Sequence, residues 1–247
     1  TLVQYGTEND TSSLISDEPN VEYSKEVLNG ETHMHHAVIS GLSTNTTYFY
    51  RVGGPNSGWS KVYKFITAPE SNSTGNNSLH FMLLGDNRTD RNTRQLVMRA
   101  MIQNETTFFN TPARFAVHVG DFVTRGDQNE LWEGYWEDAH ITNLRQRMPI
   151  MPVQGNHEFG AGSYYQEQFV LPGNGNDEWY YAVRYGNAFF TALDSEASSH
   201  GIYPYDAQSV DWMKEAYKKS NEDPHALWKF AFFHQPFFVS SSHSPRE

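Results

Sequence analysis

Apolar and polar positions change rhythm near residue 70. Before it, Thr47-Tyr-Phe-Tyr-Arg-Val52 and Lys61-Val-Tyr-Lys-Phe-Ile-Thr67 alternate with a period of two, and His36-Ala-Val-Ile-Ser-Gly-Leu42 reads as a strand running into a turn. Gly53-Gly54-Pro55 punctuates them, and no helical spacing competes. Ser71-Asn-Ser-Thr-Gly-Asn-Asn-Ser78 is polar throughout and reads as a linker. Beyond it the pattern predicts strands at Leu79–Leu84, Arg114–Val119 and Pro149–Val153. Between them lie helical stretches: Asn92–Phe108, with Leu96, Val97, Ala100 and Met101 on one face, and Glu130–Arg147, with Leu131, Trp132, Tyr135, Trp136 and Ala139 on one face. Trp179–Tyr185 and Ala188–Leu193 form an expected hairpin, Asp206–Ser220 an amphipathic helix, and Leu227–Phe233 a last strand ending at His234. A βαβαβ order implies a buried, largely parallel sheet covered by helices. The expected division is a small all-β sandwich over 1–69, a linker over 70–78 and an α/β domain over 79–247.

Composition narrows the chemistry. The 247 residues carry a formal net charge of −11, with 29 acidic against 18 basic side chains, which disfavours a nucleic-acid partner. There is no cysteine, so disulfides and thiolate metal sites are excluded and any metal needs His, Asp, Glu or Asn. No apolar run approaches the roughly 20 residues of a membrane-spanning helix. Asn-X-Ser/Thr sequons at Asn9, Asn45, Asn72, Asn76, Asn87 and Asn104 are six, where 19 Asn and 38 Ser/Thr give about three by chance. That excess points to N-linked glycans and an extracellular or cell-surface location.

In an open α/β sheet, ligands sit beyond the carboxyl ends of the strands. Here those ends deliver Asp86, Asp121, Asn156 with His157, and His234, in order, on successive strands. One Gly-Asp after a strand is commonly a turn or a cap. Two of them, followed by Gly155-Asn-His-Glu158 and a strand-terminal histidine, are a specific pattern. Carboxylate and amide oxygens with imidazole suit Fe, Mn or Zn, held roughly 3.5–4 Å apart in a two-metal site. His33, His35 and His36 decorate a strand and turn, because no carboxylate accompanies them at ligand spacing. His118, two residues before Gly120, reads as core.

Leu42-X-X-X-Thr46-X-Tyr48 resembles the tyrosine corner of fibronectin-type and immunoglobulin-like sandwiches. With the ordered strand ends that follow, the chain resembles the calcineurin-like metallophosphoesterases, and the purple acid phosphatase branch in particular. The resemblance implies an α/β metallophosphoesterase sandwich behind a fibronectin III-like domain, and hydrolysis of small phosphate esters by a hydroxide activated between two metals. It implies that Asp86 binds the first metal, that Asp121 bridges, and that Asn156 and His234 bind the second. It implies that His157 touches phosphate or protonates the leaving group, that Glu158 orients His157, and that His243 faces substrate. The chain also departs from the pattern. Thr124 stands where the purple enzymes place a tyrosine ligand, and Arg88 stands where Asp-X-His or Asp-X-Gly is usual. Arginine cannot ligate, although it can grip a phosphate oxygen. The closing Gly-His-X-His is absent before Glu247, and Thr1–Tyr5 reads as a strand in mid-course, so a longer protein is expected. These departures keep open an alternative, an extracellular structural or surface protein using a degenerate phosphoesterase fold as a scaffold.

Overall fold

The computed structural model describes residues 2–12, 14–16, 26–29, 32–71, 79–109, 112–159, 163–172, 179–196 and 207–236. The expected linker lies almost wholly outside them, as does His243.

The first part is all strand: β1 (Leu2–Gly6), β2 (Ile15–Ser16), β3 (Glu26–Asn29), β4 (Thr32–His35), β5 (Thr47–Gly54), β6 (Gly58–Trp59) and β7 (Tyr63–Ile66). Strand β5 is its centre, antiparallel to β1, β6 and β7, while β2 pairs with β1 and β3 with β4. Tyr48 is buried, lies over Phe65 with ring centroids 5.8 Å apart, and accepts a hydrogen bond from the Ser43 N–H at 3.0 Å. This is the tyrosine-corner arrangement. The strand expected over residues 36–42 is absent; only Ile39 makes a bridge. His36 instead puts its Nε2 2.7 Å from the Glu167 carbonyl, and Gly41 turns the chain at a φ of 71°. A segment committed to such a contact and turn has no free ladder to offer.

The second part begins with β8 (Met82–Leu84), α1 (Arg91–Phe109), β9 (Ala116–His118), α2 (Asn129–Trp136), α3 (Ala139–Arg145) and β10 (Ile150–Pro152). Strand β9 lies between β8 and β10, parallel to both. After α4 (Tyr165–Gln168) come β11 (Tyr181–Tyr185), β12 (Ala188–Ala192), α5 (Ala207–Glu222) and β13 (Trp228–Phe232). Strand β12 pairs antiparallel with β11 and parallel with β13. The two sheets face each other through aromatic rings. Phe81 and Phe115 come from one side and Phe190, Phe230 and Phe232 from the other, with Phe115 edge-on to Phe190 at 5.1 Å. Strand alternation explains the layering: Phe115 and Val117 enter this aromatic layer, whereas Ala116 faces Met98, Trp132, Ile141 and Leu144 of the helices.

Two expectations about the helices are corrected. Leu96 and Val97 are 66% and 52% exposed, and α1 turns Arg94 and Met98 inward instead. The reason is a fully buried carboxylate: Asp138 accepts from Arg94 and Gln95, and the Arg94 guanidinium lies over the Tyr135 ring. The stretch 130–147 is two helices, because Asp138 caps α3 by accepting the His140 N–H at 3.0 Å and so ends α2. The sandwich leans on the second part through Tyr50, whose hydroxyl donates to the Gln146 carbonyl at 2.9 Å. A cleft of about 330 Å³, lined by Tyr50, Phe65, Arg145 and Met148 among others, lies along this seam, away from the strand ends that carry Asp86 and Asp121.

Candidate metal centre

Strands β8, β9 and β10 all point their carboxyl ends the same way, and so does β13 of the facing sheet. The chain leaves β8 through Gly85 into Asp86 and β9 through Gly120 into Asp121. Both aspartates take left-handed backbone angles, φ 51° and 60°. Such conformations cost on the order of 1–3 kcal/mol each in a residue with a Cβ, and they persist where the surroundings hold them. Glycine is required behind them. A Cβ on Gly155 would overlap the backbone nitrogen and Oδ1 of Asp121, and one on Gly120, itself at φ 90°, would lie 2.8 Å from Nδ1 of His234.

Asp121, His234 and Asp86 offer ligand atoms that all lie within 4.8 Å of one another. His234 is oriented by its own backbone neighbour: its Nδ1 donates to the Val119 carbonyl at 2.7 Å. That bond leaves Nε2 facing Oδ1 of Asn156 at 3.0 Å and Oδ1 of Asp121 at 3.4 Å. Ligand-type atoms from three strand ends thus converge.

Glu158 is wholly buried and lies behind Asp121. Its carboxylate accepts the N–H groups of Asp121 (2.7 Å), Gly155 (3.0 Å) and Val123 (3.0 Å). Burial pushes this carboxyl up to about 7, the nearby Asp121 charge adds to the rise, and the three N–H donors oppose it. The expected partnership between Glu158 and the His157 ring is therefore not what its carboxylate does; it ties together the loops after β9 and β10. His157 is held otherwise, by its Nδ1 donating to the Thr124 carbonyl at 2.7 Å and by its N–H donating to Oδ1 of Asp121 at 3.1 Å.

Arg88 does not reach outward. Its Nη1 donates to Oδ1 of Asp86 at 3.0 Å and also to Oδ2 of Asp121, with the Arg88 side chain 24% exposed. His118 and Asn87 form a pair that the sequence reading did not assign. Oδ1 of Asn87 lies 3.0 Å from Nε2 of buried His118, which stacks on Phe122, and Nδ2 of Asn87 lies 3.5 Å from the Tyr135 hydroxyl. The available signal was a polar residue following a ligand-type aspartate and a histidine at inward strand parity. Burial drives the His118 imidazole down to about 3, with the His234 and Arg94 charges adding to the fall.

Residues 78–247 match the family model of the calcineurin-like phosphoesterases. The chain belongs to that family. Residues 1–67 match the model of the purple acid phosphatase N-terminal domain. Among curated relatives, purple acid phosphatase 15 of Arabidopsis thaliana is 24% identical, covering 87% of this chain and 43% of its own length. Acid phosphatase type 7 of Mus musculus is 25% identical, covering 87% and 48%. A solved purple acid phosphatase from yellow lupin (Lupinus luteus) seeds superposes with a TM-score of 0.71 at 18% identity, over 97% of this chain and 47% of that one, which shows the fold. The chain spans about half the length of the curated relatives it matches. No helix among the described residues is long and apolar enough to cross a membrane.

Purple acid phosphatases and the calcineurin-like fold use dinuclear centres of iron, zinc or manganese. The two halves of this site suit a metal unequally. The cluster of Asp121, Asn156 and His234 brings a carboxylate oxygen, an amide oxygen and an imidazole nitrogen together, a donor set that fits a cation. Between Asp86 and Asp121 a guanidinium already supplies the positive charge, and among the described residues no further imidazole faces that pair.

Proposed function

We propose that the protein is a metal-dependent phosphoesterase acting on small phosphate esters. The observation that supports this most is the convergence of Asp121, Asn156 and the oriented Nε2 of His234 at the strand ends of both sheets. Asp121, Asn156 and His234 would hold a metal, with Asp86 adjoining, and such an ion supplies a Lewis acid and a hydroxide at neutral pH. His157 would contact the phosphoryl group or protonate the leaving oxygen, since its Nδ1 is spent on Thr124 and its Nε2 is not. Glu158 would act as a positioning residue for Asp121, and His243 would face substrate from beyond the described residues. On this reading residues 1–69 are a fibronectin-like domain, 70–78 a linker and 79–247 the phosphoesterase domain. The sequons support an extracellular or cell-surface protein with N-linked glycans; Asn9, Asn45 and Asn104 are exposed.

One observation favours a second reading, a surface protein that keeps the fold as a scaffold: Arg88 is paired with both carboxylates. Assay of the natively produced full-length protein on aryl phosphate mono- and diesters, with Mn, Zn or Fe supplied, separates the two. Hydrolysis that disappears on chelation is the expected result, and none with any metal leaves the scaffold. Intact mass of the same preparation should exceed the bare polypeptide; a match to the polypeptide removes the location reading.

A further inference from the structure

Asp121 divides its two oxygens between two neighbours. Oδ1 faces Nε2 of His234 and accepts the N–H of His157, whereas Oδ2 faces Nη1 of Arg88. The same Nη1 donates to Asp86, so one nitrogen bridges both carboxylates. We infer that the Arg88 guanidinium permanently takes the place of one of the two metal ions, leaving a centre that holds a single ion on Asp121, Asn156 and His234.

Three physical points carry this. The guanidinium offers only N–H donors and no lone pair, so it can stand between two carboxylates but cannot ligate an ion there. Asp121 is 2% exposed, and a buried carboxylate that lost this partner would be left with charge it cannot discharge to water. An incoming ion on the Oδ2 side would have to expel a cation already bonded to both aspartates. On the Oδ1 side no guanidinium intervenes, and Oδ1 of Asn156 and Nε2 of His234 converge with Oδ1 of Asp121. The bridging carboxylate thus joins a fixed organic cation to an exchangeable metal. A phosphate oxygen arriving at the Asp86 side would meet a hydrogen-bond donor, not a coordination position.

This inference rests on the metal reading above, and the test separates the two. Full-length protein is stripped with EDTA, dialysed against Mn(II), and its bound ions counted by elemental analysis. Wild type and Arg88→Lys should each hold one ion per chain. Arg88→His, which exchanges the cation for a ligand, should hold two. Two ions in wild type, or one in Arg88→His with its fold intact by circular dichroism, overturns the inference while the metal reading stands. No ion in any of the three proteins overturns both. A second readout needs no metal. Arg88→Ala should lower the Tm of the stripped protein, because it leaves two carboxylates facing each other, and Asp86→Asn added to it should restore part of the loss. An unchanged Tm in Arg88→Ala would show that the guanidinium does not neutralise the pair.

Discussion

Asp86 and Asp121 leave their strands alike, each after a glycine and each with a left-handed backbone, yet they inhabit different worlds. The Asp121 side chain is 2% exposed and the Asp86 side chain 66%. Behind Asp121 stands Glu158, which collects three backbone N–H groups from two loops; beside it stand His157, bonded to Thr124, and His234, bonded to Val119. Among the described residues Asp86 has one backbone bond, from its N–H to the Gly120 carbonyl at 3.0 Å, and one side-chain partner, Arg88. The Asp121 loop is tied at the aspartate's own N–H by buried Glu158, whereas the Asp86 loop is held one residue on, at Asn87, by His118 and Arg94.

The largest effects should therefore gather on the Asp121 side. His157→Ala should lower kcat on an aryl phosphate by about 10²–10⁴-fold with metal content unchanged, the usual contribution of general acid–base assistance. His234→Ala should lose metal and turnover together, because on the proposed reading it removes a ligand. Steady-state kinetics and elemental analysis on both variants check this. Metal loss in His157→Ala would merge the two roles and blur the distinction.

The next effect is on stability. Glu158→Ala strands three buried N–H donors and should cost roughly 3 kcal/mol or more in denaturant unfolding. Asp86→Ala, at an exposed position, should cost no more than about 1 kcal/mol. Equal costs would erase the contrast between the two loops.

A pH-dependent effect concerns His118, which supports the Asp86 side through Asn87. Its folded pKa of about 3 lies below the ordinary 6.5, so the unfolded chain binds the extra proton first. The stability tied to neutral His118 is complete above about pH 6.5 and is lost progressively as pH falls toward 3. At pH 5 the loss is about 2 kcal/mol, from roughly 1.4 kcal/mol per pH unit. His118→Gln should therefore show a shallower decline in unfolding free energy between pH 7 and pH 5 than wild type. Parallel declines would mean that His118 does not set the acid limb.

Much of this architecture can be read from the chain, and the reasons are local. Gly85-Asp86, Gly120-Asp121 and Gly155-Asn156-His157 advertise tight turns at strand ends, and apolar runs before them locate the strands to within a few residues. Tyr48 and its corner are likewise set by near neighbours. What escaped depends on partners far away in sequence. The helix α1 was legible but its inward face was not, because Arg94 is drawn in by Asp138, and no pattern of apolar residues records a buried carboxylate 44 residues on. The duty of Glu158 escaped because its partners are backbone N–H groups, which every residue has. The inward turn of Arg88 escaped because a charged side chain beside two aspartates can as well face solvent.

The bond from His234 to the Val119 carbonyl joins residues 115 apart. Non-local contacts form slowly, because the loop between them must close before they repay its entropy. The sheet of β8, β9 and β10 can assemble with Asp86, Asp121 and Asn156 already at its edge, yet it lacks its imidazole until β13 has docked against β12 on the opposite layer. The cluster of Asp121, Asn156 and His234 is consequently complete only where the two sheets have met, so its geometry reports on the packing of one layer against the other.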